Sequence, residues 1–161
     1  MTQGYTRTQI ALHWAILLLV AAQFLFHDAI AEGWERVEDG LEVGFSPMIA
    51  QHIATGVLIL LLVIWRIVLR VRRGAIALPA DEPAVLKFVA RATHGLLYLL
   101  LILLPISGIA AWFGGAEQAA DGHELMKNLL LVIVGLHVLG ALYQQFVLKS
   151  DVLSRMTKPE A

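Results

Sequence analysis

Four long apolar runs, at about 10–30, 48–69, 92–113 and 125–148, constrain this chain more than any other feature. Each is close to the roughly twenty residues a helix needs to cross a bilayer. Lipid offers the backbone no hydrogen-bond partners, so such runs fold as helices. Composition agrees: 58% of the 161 residues are hydrophobic and mean hydropathy is +0.73, whereas soluble domains are about 45–50% apolar. The expected fold is all-α, an integral membrane four-helix bundle forming a single domain over residues 1–161. Pro105 lies in the third run, where a kink is tolerable within a bundle. Leu78-Pro79-Ala80-Asp81-Glu82-Pro83 reads as a loop. Ala29-Ile30-Ala31 has the look of a leader cleavage site, but removing the first run would leave three spans and break the charge pattern described next.

Charge sets the direction. Ten of the twelve Lys and Arg residues (Arg7, Arg66, Arg70, Arg72, Arg73, Lys87, Arg91, Lys149, Arg155 and Lys158) fall on the side that holds both termini. Only Arg36 and Lys127 fall on the other. Basic residues are retained in the cytoplasm, so both termini are expected there. Nine of the thirteen acids lie on the outer side, giving it a formal charge near −7 against +6 inside. Net charge is −1, and no nucleic-acid partner is expected. Cysteine is absent, which excludes disulfides, iron–sulfur clusters, thiolate zinc sites and covalently attached c-type haem.

All six histidines lie within or at the edge of the apolar runs, His27 at the outer end of the first. Ionisable groups in a membrane segment are costly, and each marks a candidate functional site. His123 and His137 are fourteen residues apart in the fourth run, close to four helical turns, so they share a face about 21 Å apart. His52 begins the second run on the outer side and pairs in depth with His123. His137 lies deeper, level with either His13 or His94. Two depth-matched pairs of neutral imidazoles suit the axial ligation of two stacked haems, held without covalent attachment. The metal ligands expected are His13, His52, His123 and His137. Depth prefers His13, because Arg91 would hold His94 near the headgroups. His94 then serves as a propionate or quinone contact, or as an interhelical hydrogen-bonding residue. His27, beside Asp28, reads as a solvated interface residue.

Around these sites, Gly56 follows His52 by four residues and Gly140 follows His137 by three. They serve either ordinary helix packing or clearance for a flat macrocycle. Arg66 and Arg70, one turn apart, serve either as topology signal and headgroup contacts or as partners of inner-haem propionates. Trp14, Trp65 and Trp112 sit near span ends, as an aromatic belt would. Arg66, Arg91, His94 and Gln144 offer hydrogen-bonding groups beside apolar helix surface, which suits a quinone head on the cytoplasmic side.

The chain resembles the bacterial cytochrome b561 family of di-haem membrane proteins along essentially its whole length. The matching stretches are Ala11-Leu12-His13-Trp14, His52 with Gly56, and Thr93-His94-Gly95-Leu96-Leu97-Tyr98. They continue through Leu104-Pro105-Ile106-Ser107-Gly108, His123-Glu124, Gly135-Leu136-His137-Val138-Leu139 and the tail Lys149-Ser150-Asp151-Val152-Leu153-Ser154-Arg155-Met156. The resemblance implies two haem b groups, bis-histidine ligation, and exchange of electrons with ubiquinone and ubiquinol in a bacterial inner membrane.

The leading functional reading is an electron conduit between the quinone pool and a basic periplasmic redox protein. The alternative is an enzyme on the same scaffold, a superoxide:ubiquinone oxidoreductase. A negative outer face repels an anion such as superoxide. Gln144-Gln145, where many members carry histidine, and a short segment from Gly114 to Gly122 depart from the superoxide-oxidising branch. A haem-free transporter would favour acids within the spans, whose interiors hold none.

Overall fold

The computed structural model describes residues 4–74, 76 and 82–160. Most of the loop expected at 78–83 lies outside these residues; Glu82 and Pro83 lie within them. Five α-helices run in order: α1 (Arg7–Leu25), α2 (Asp28–Glu38), α3 (Pro47–Arg73), α4 (Ala84–Gly114) and α5 (Glu117–Phe146). A short 3-10 turn follows at Ser154–Met156. No strand occurs among the described residues. Helices α1, α3, α4 and α5 are long and apolar enough to cross a membrane. At 1.5 Å per residue, the 19-residue α1 extends about 28 Å and the other three about 40–46 Å.

Local chemistry sets the helix ends. Thr6 and Gln9 form a reciprocal capping box at the start of α1, with Gln9 N–H donating to Thr6 Oγ1 at 3.2 Å and Thr6 N–H to Gln9 Oε1 at 3.1 Å. Ser46 caps α3 and Pro47 occupies its first turn, where no backbone donor is needed. Arg70, Arg72 and Arg73 complement the carbonyl end of α3. Gly115 adopts a left-handed conformation (φ 62°) and ends α4, leaving Gly115 and Ala116 as the whole link to α5. The segment from Gly114 to Gly122 is therefore mostly helix rather than loop, because residues from Glu117 onward favour helix.

Two apolar clusters join the helices. Ile16, Ile59 and Val63 bind α1 to α3, and Leu100, Leu104, Leu130 and Ile133 bind α4 to α5. The outer surface is apolar as well: Leu18 is 69% exposed, Leu131 56% and Leu139 62%. Such a surface belongs against lipid tails. The chain ends share one end of the bundle, with Glu160 N–H donating to Tyr5 O at 2.9 Å and Trp14 Nε1 to Met156 O at 3.0 Å.

The first span ends at Leu25, earlier than the residue 30 expected from hydropathy, and a separate helix follows. Asp28, Glu32, Glu35 and Glu38 recur at helical spacing in α2, so one of its faces must stay wet. The other face rests on α3. Gly33 permits this approach: a Cβ there would lie 2.8 Å from Ile49 Cδ1 and 3.2 Å from Trp112 Cη2. Gly33→Leu is expected to lift α2 from the bundle at a cost of about 1–3 kcal/mol. Limited proteolysis should then cut within Asp28–Glu38 at a protease dose that spares the parent protein.

Candidate functional site

The histidines gather in two layers. The first contains His13 on α1, His94 on α4 and His137 on α5. The His13 and His137 ring centroids are 6.1 Å apart, and those of His94 and His137 are 5.1 Å apart. Helix α4 begins at Ala84, so His94 is its eleventh residue rather than a headgroup residue. The premise that Arg91 keeps His94 shallow is thus corrected: Arg91 is exposed and His94 packs against His137. The His94 Nδ1–H donates to Ala90 O at 2.6 Å, which leaves Nε2 facing outward from that bond.

Arg66 and Arg70 converge beside this layer on Tyr98, which its sequence context marks only as part of a family stretch. Arg66 Nε donates to the Tyr98 hydroxyl at 3.1 Å and Nη1 to Gln9 O at 2.8 Å. The Arg70 guanidinium lies 6.0 Å from the Tyr98 ring centroid. These two bonds use two of the five N–H donors of Arg66. Gln144 is likewise engaged, donating to Glu82 Oε1 and accepting from Ser150 Oγ at 2.8 Å. A Cβ added at Gly140 would meet nothing within 4 Å among the described residues.

The second layer contains His52 on α3, His123 on α5 and His27 between α1 and α2. His27 was expected to be solvated. Instead its ring lies 6.1 Å from that of His52, and Lys127 Nζ approaches its Nε2 at 3.4 Å. Burial first, and then the Lys127 ammonium, push the His27 pKa below its usual value, against the pull of Glu124 and Asp28. A neutral His27 can accept from the ammonium.

His123 Nδ1 lies 2.9 Å from Leu104 O and 3.1 Å from Ser107 Oγ. Donation to that carbonyl fixes the proton on Nδ1 and leaves the Nε2 lone pair available. Gly108 completes the support: a Cβ there would sit 3.2 Å from His123 Cε1. His52 Nδ1 is buried without a hydrogen-bond partner among the described residues. Both histidines line a cavity of about 420 Å³, with Phe24, Gly56, Gly108 and Trp112 among its walls. Trp112 is therefore a cavity wall rather than a belt residue. Gly56 borders the same space, with its added Cβ 3.2 Å from Gln23 Nε2.

One sequence signal underlies both layers. His13 and His27, His52 and Arg66, His94 and Gly108, and His123 and His137 are each fourteen residues apart. The interval noticed on α5 alone recurs across the chain and would have pointed to Ser107-Gly108 and to His27.

Four apolar helices with histidines layered at two depths define a membrane bundle equipped for metal or macrocycle binding. Among the described residues, no three His, Asp or Glu side chains are arranged to hold a bare ion. The chain belongs to the prokaryotic cytochrome b561 family, which matches residues 4–159. It is 37% identical to cytochrome b562 of Cereibacter sphaeroides over 165 residues, covering 99% of both chains. It is 33% identical to the probable superoxide oxidase CybB of Yersinia pestis over 183 residues, covering 97% of both. It is 24% identical to cytochrome b561 homolog 1 of Escherichia coli, covering 94% of this chain and 96% of that one. Membership makes this a multi-pass bacterial membrane protein of electron transport, with haem b as the family's prosthetic group.

Proposed function

We propose that the chain holds two haem b groups and carries electrons across the bacterial inner membrane. The carrying observation is the 6.1 Å between the His13 and His137 ring centroids. An iron held between two imidazoles by bonds of about 2 Å, with about 1.1 Å from nitrogen to ring centre, would need ring centres roughly 6 Å apart. The 5.1 Å between His94 and His137 is too short for an iron between them. His13 and His137 are thus the inner ligands, and His94 stands beside them. In the outer layer, the partnerless His52 Nδ1 and the oriented His123 fit the same role across an apolar cavity. His27 has a similar spacing to His52, but Lys127 engages its Nε2. Bound iron would supply one-electron ferric/ferrous chemistry. The paired histidines would hold it from both sides and leave no coordination position open to oxygen. A pyridine haemochrome assay is expected to give two haems per chain; one or none would overturn the proposal.

Both termini lie in the cytoplasm on this reading, from the bias of Lys and Arg toward their side. Ubiquinone exchanges electrons near the first layer, where His94 and Tyr98 lie beside lipid-facing helix. Arg66 and Gln144 stand beside that region, with Arg66 donating to Gln9 O and Gln144 to Glu82.

The periplasmic partner is a basic redox protein. Glu35 and Glu38 lie at the rim of the outer cavity, and Arg36, the base on α2, donates to Glu42 O at 3.0 Å. Electron exchange with a basic soluble cytochrome should slow by about tenfold from low to high salt, as screening removes steering. A flat profile would remove this partner. Likeness to the probable superoxide oxidase supports superoxide oxidation as the alternative. Rapid superoxide-driven haem reduction at all ionic strengths would favour it.

A further inference from the structure

The outer cavity is rimmed by acids. Glu35, Glu38, Asp121 and Glu124 all contribute to its lining, and Lys127 is the one Lys or Arg that does so among the described residues. Haem b carries two carboxylate arms, and an anion placed at such a rim needs a countercharge. Resting on the two-haem reading, we propose that Lys127 receives a carboxylate arm of the outer haem, turning that edge toward the rim where α5 meets the start of α2.

The local geometry suits this task. The Lys127 side chain is 19% exposed and its ammonium is held from two sides, 2.7 Å from Glu124 Oε2 and 3.4 Å from His27 Nε2. An ammonium has three N–H donors; these contacts use two and leave one for a further acceptor. Glu124 is 55% exposed, so water solvates its carboxylate and it can share the cation. Lys127 lies four residues beyond His123, one helical turn along the same face of α5. The arm's partner and an axial ligand of the iron are thereby fixed on one rigid helix.

The test uses the holoprotein reconstituted with haem carrying 13C-labelled carboxylates, with redox titration of each haem and reduced-minus-oxidised infrared spectra of the labelled bands, to which Glu124, itself bound to Lys127, does not contribute. The outer haem is identified as the one lost in His123→Ala. A nearby cation favours the reduced iron, so Lys127→Met should lower the outer couple by about tenfold in its redox equilibrium, or about 59 mV for one electron. The inner couple should not move. Lys127→Arg should hold the potential near that of the parent but shift the carboxylate band, because guanidinium replaces ammonium. Should Lys127→Met fail to assemble, the band in Lys127→Arg decides. An unmoved band in Lys127→Arg, or an unmoved outer potential in Lys127→Met, overturns the assignment while two haems remain. A parent protein with fewer than two haems overturns the underlying reading instead.

Discussion

His137→Ala is expected to reduce haem content from two per chain to one. His137 is central to the first layer, with the His13 ring at 6.1 Å and the His94 ring at 5.1 Å. Alanine removes one of the two nitrogens proposed to hold the iron, which weakens retention of a non-covalent macrocycle in detergent. The second layer should keep its haem, because the layers share no ligand and lie about 21 Å apart along α5. Leu104 O still orients His123 there, and the cavity walls are untouched. Pyridine haemochrome and protein concentration on the same sample give the ratio. A variant that keeps both haems would mean that His137 is no ligand. Loss of both would mean that the sites fold as one unit.

The second large effect separates His13 from His94. His13→Leu is expected to remove the inner haem, whereas His94→Leu keeps both low-spin signals. Ring spacing is the reason. The proposed iron would need ring centres roughly 6 Å apart, and the spacing is 6.1 Å for His13 and His137 but 5.1 Å for His94 and His137. His94 also satisfies its Nδ1 within its own helix turn at Ala90 O, so leucine there leaves an unpaired carbonyl lone pair rather than an empty axial position. Low-temperature electron paramagnetic resonance counts the low-spin ferric centres directly. The reverse result, a haem lost in His94→Leu and retained in His13→Leu, would make His94 the ligand.

The sequence by itself determined the four membrane helices, because a bilayer demands length and apolarity and both are written locally. It also determined that α5 carries two histidines on one face, since helical phase follows from spacing alone. Only the tertiary structure decided which rings meet. Depth estimated from Arg91 placed His94 too shallow because the start of α4 at Ala84 was not legible from an apolar run beginning near 92. Helix α2 was hidden for a related reason: its charges read as an outer loop, and its seat depends on Gly33 meeting Ile49 and Trp112 from distant parts of the chain. The partners of Tyr98, the hold of Ser107 and Leu104 on His123, and the approach of Lys127 to His27 arise the same way. Each joins residues from separate segments whose relative rotation is set by side-chain packing, and hydropathy along one segment holds no record of that rotation.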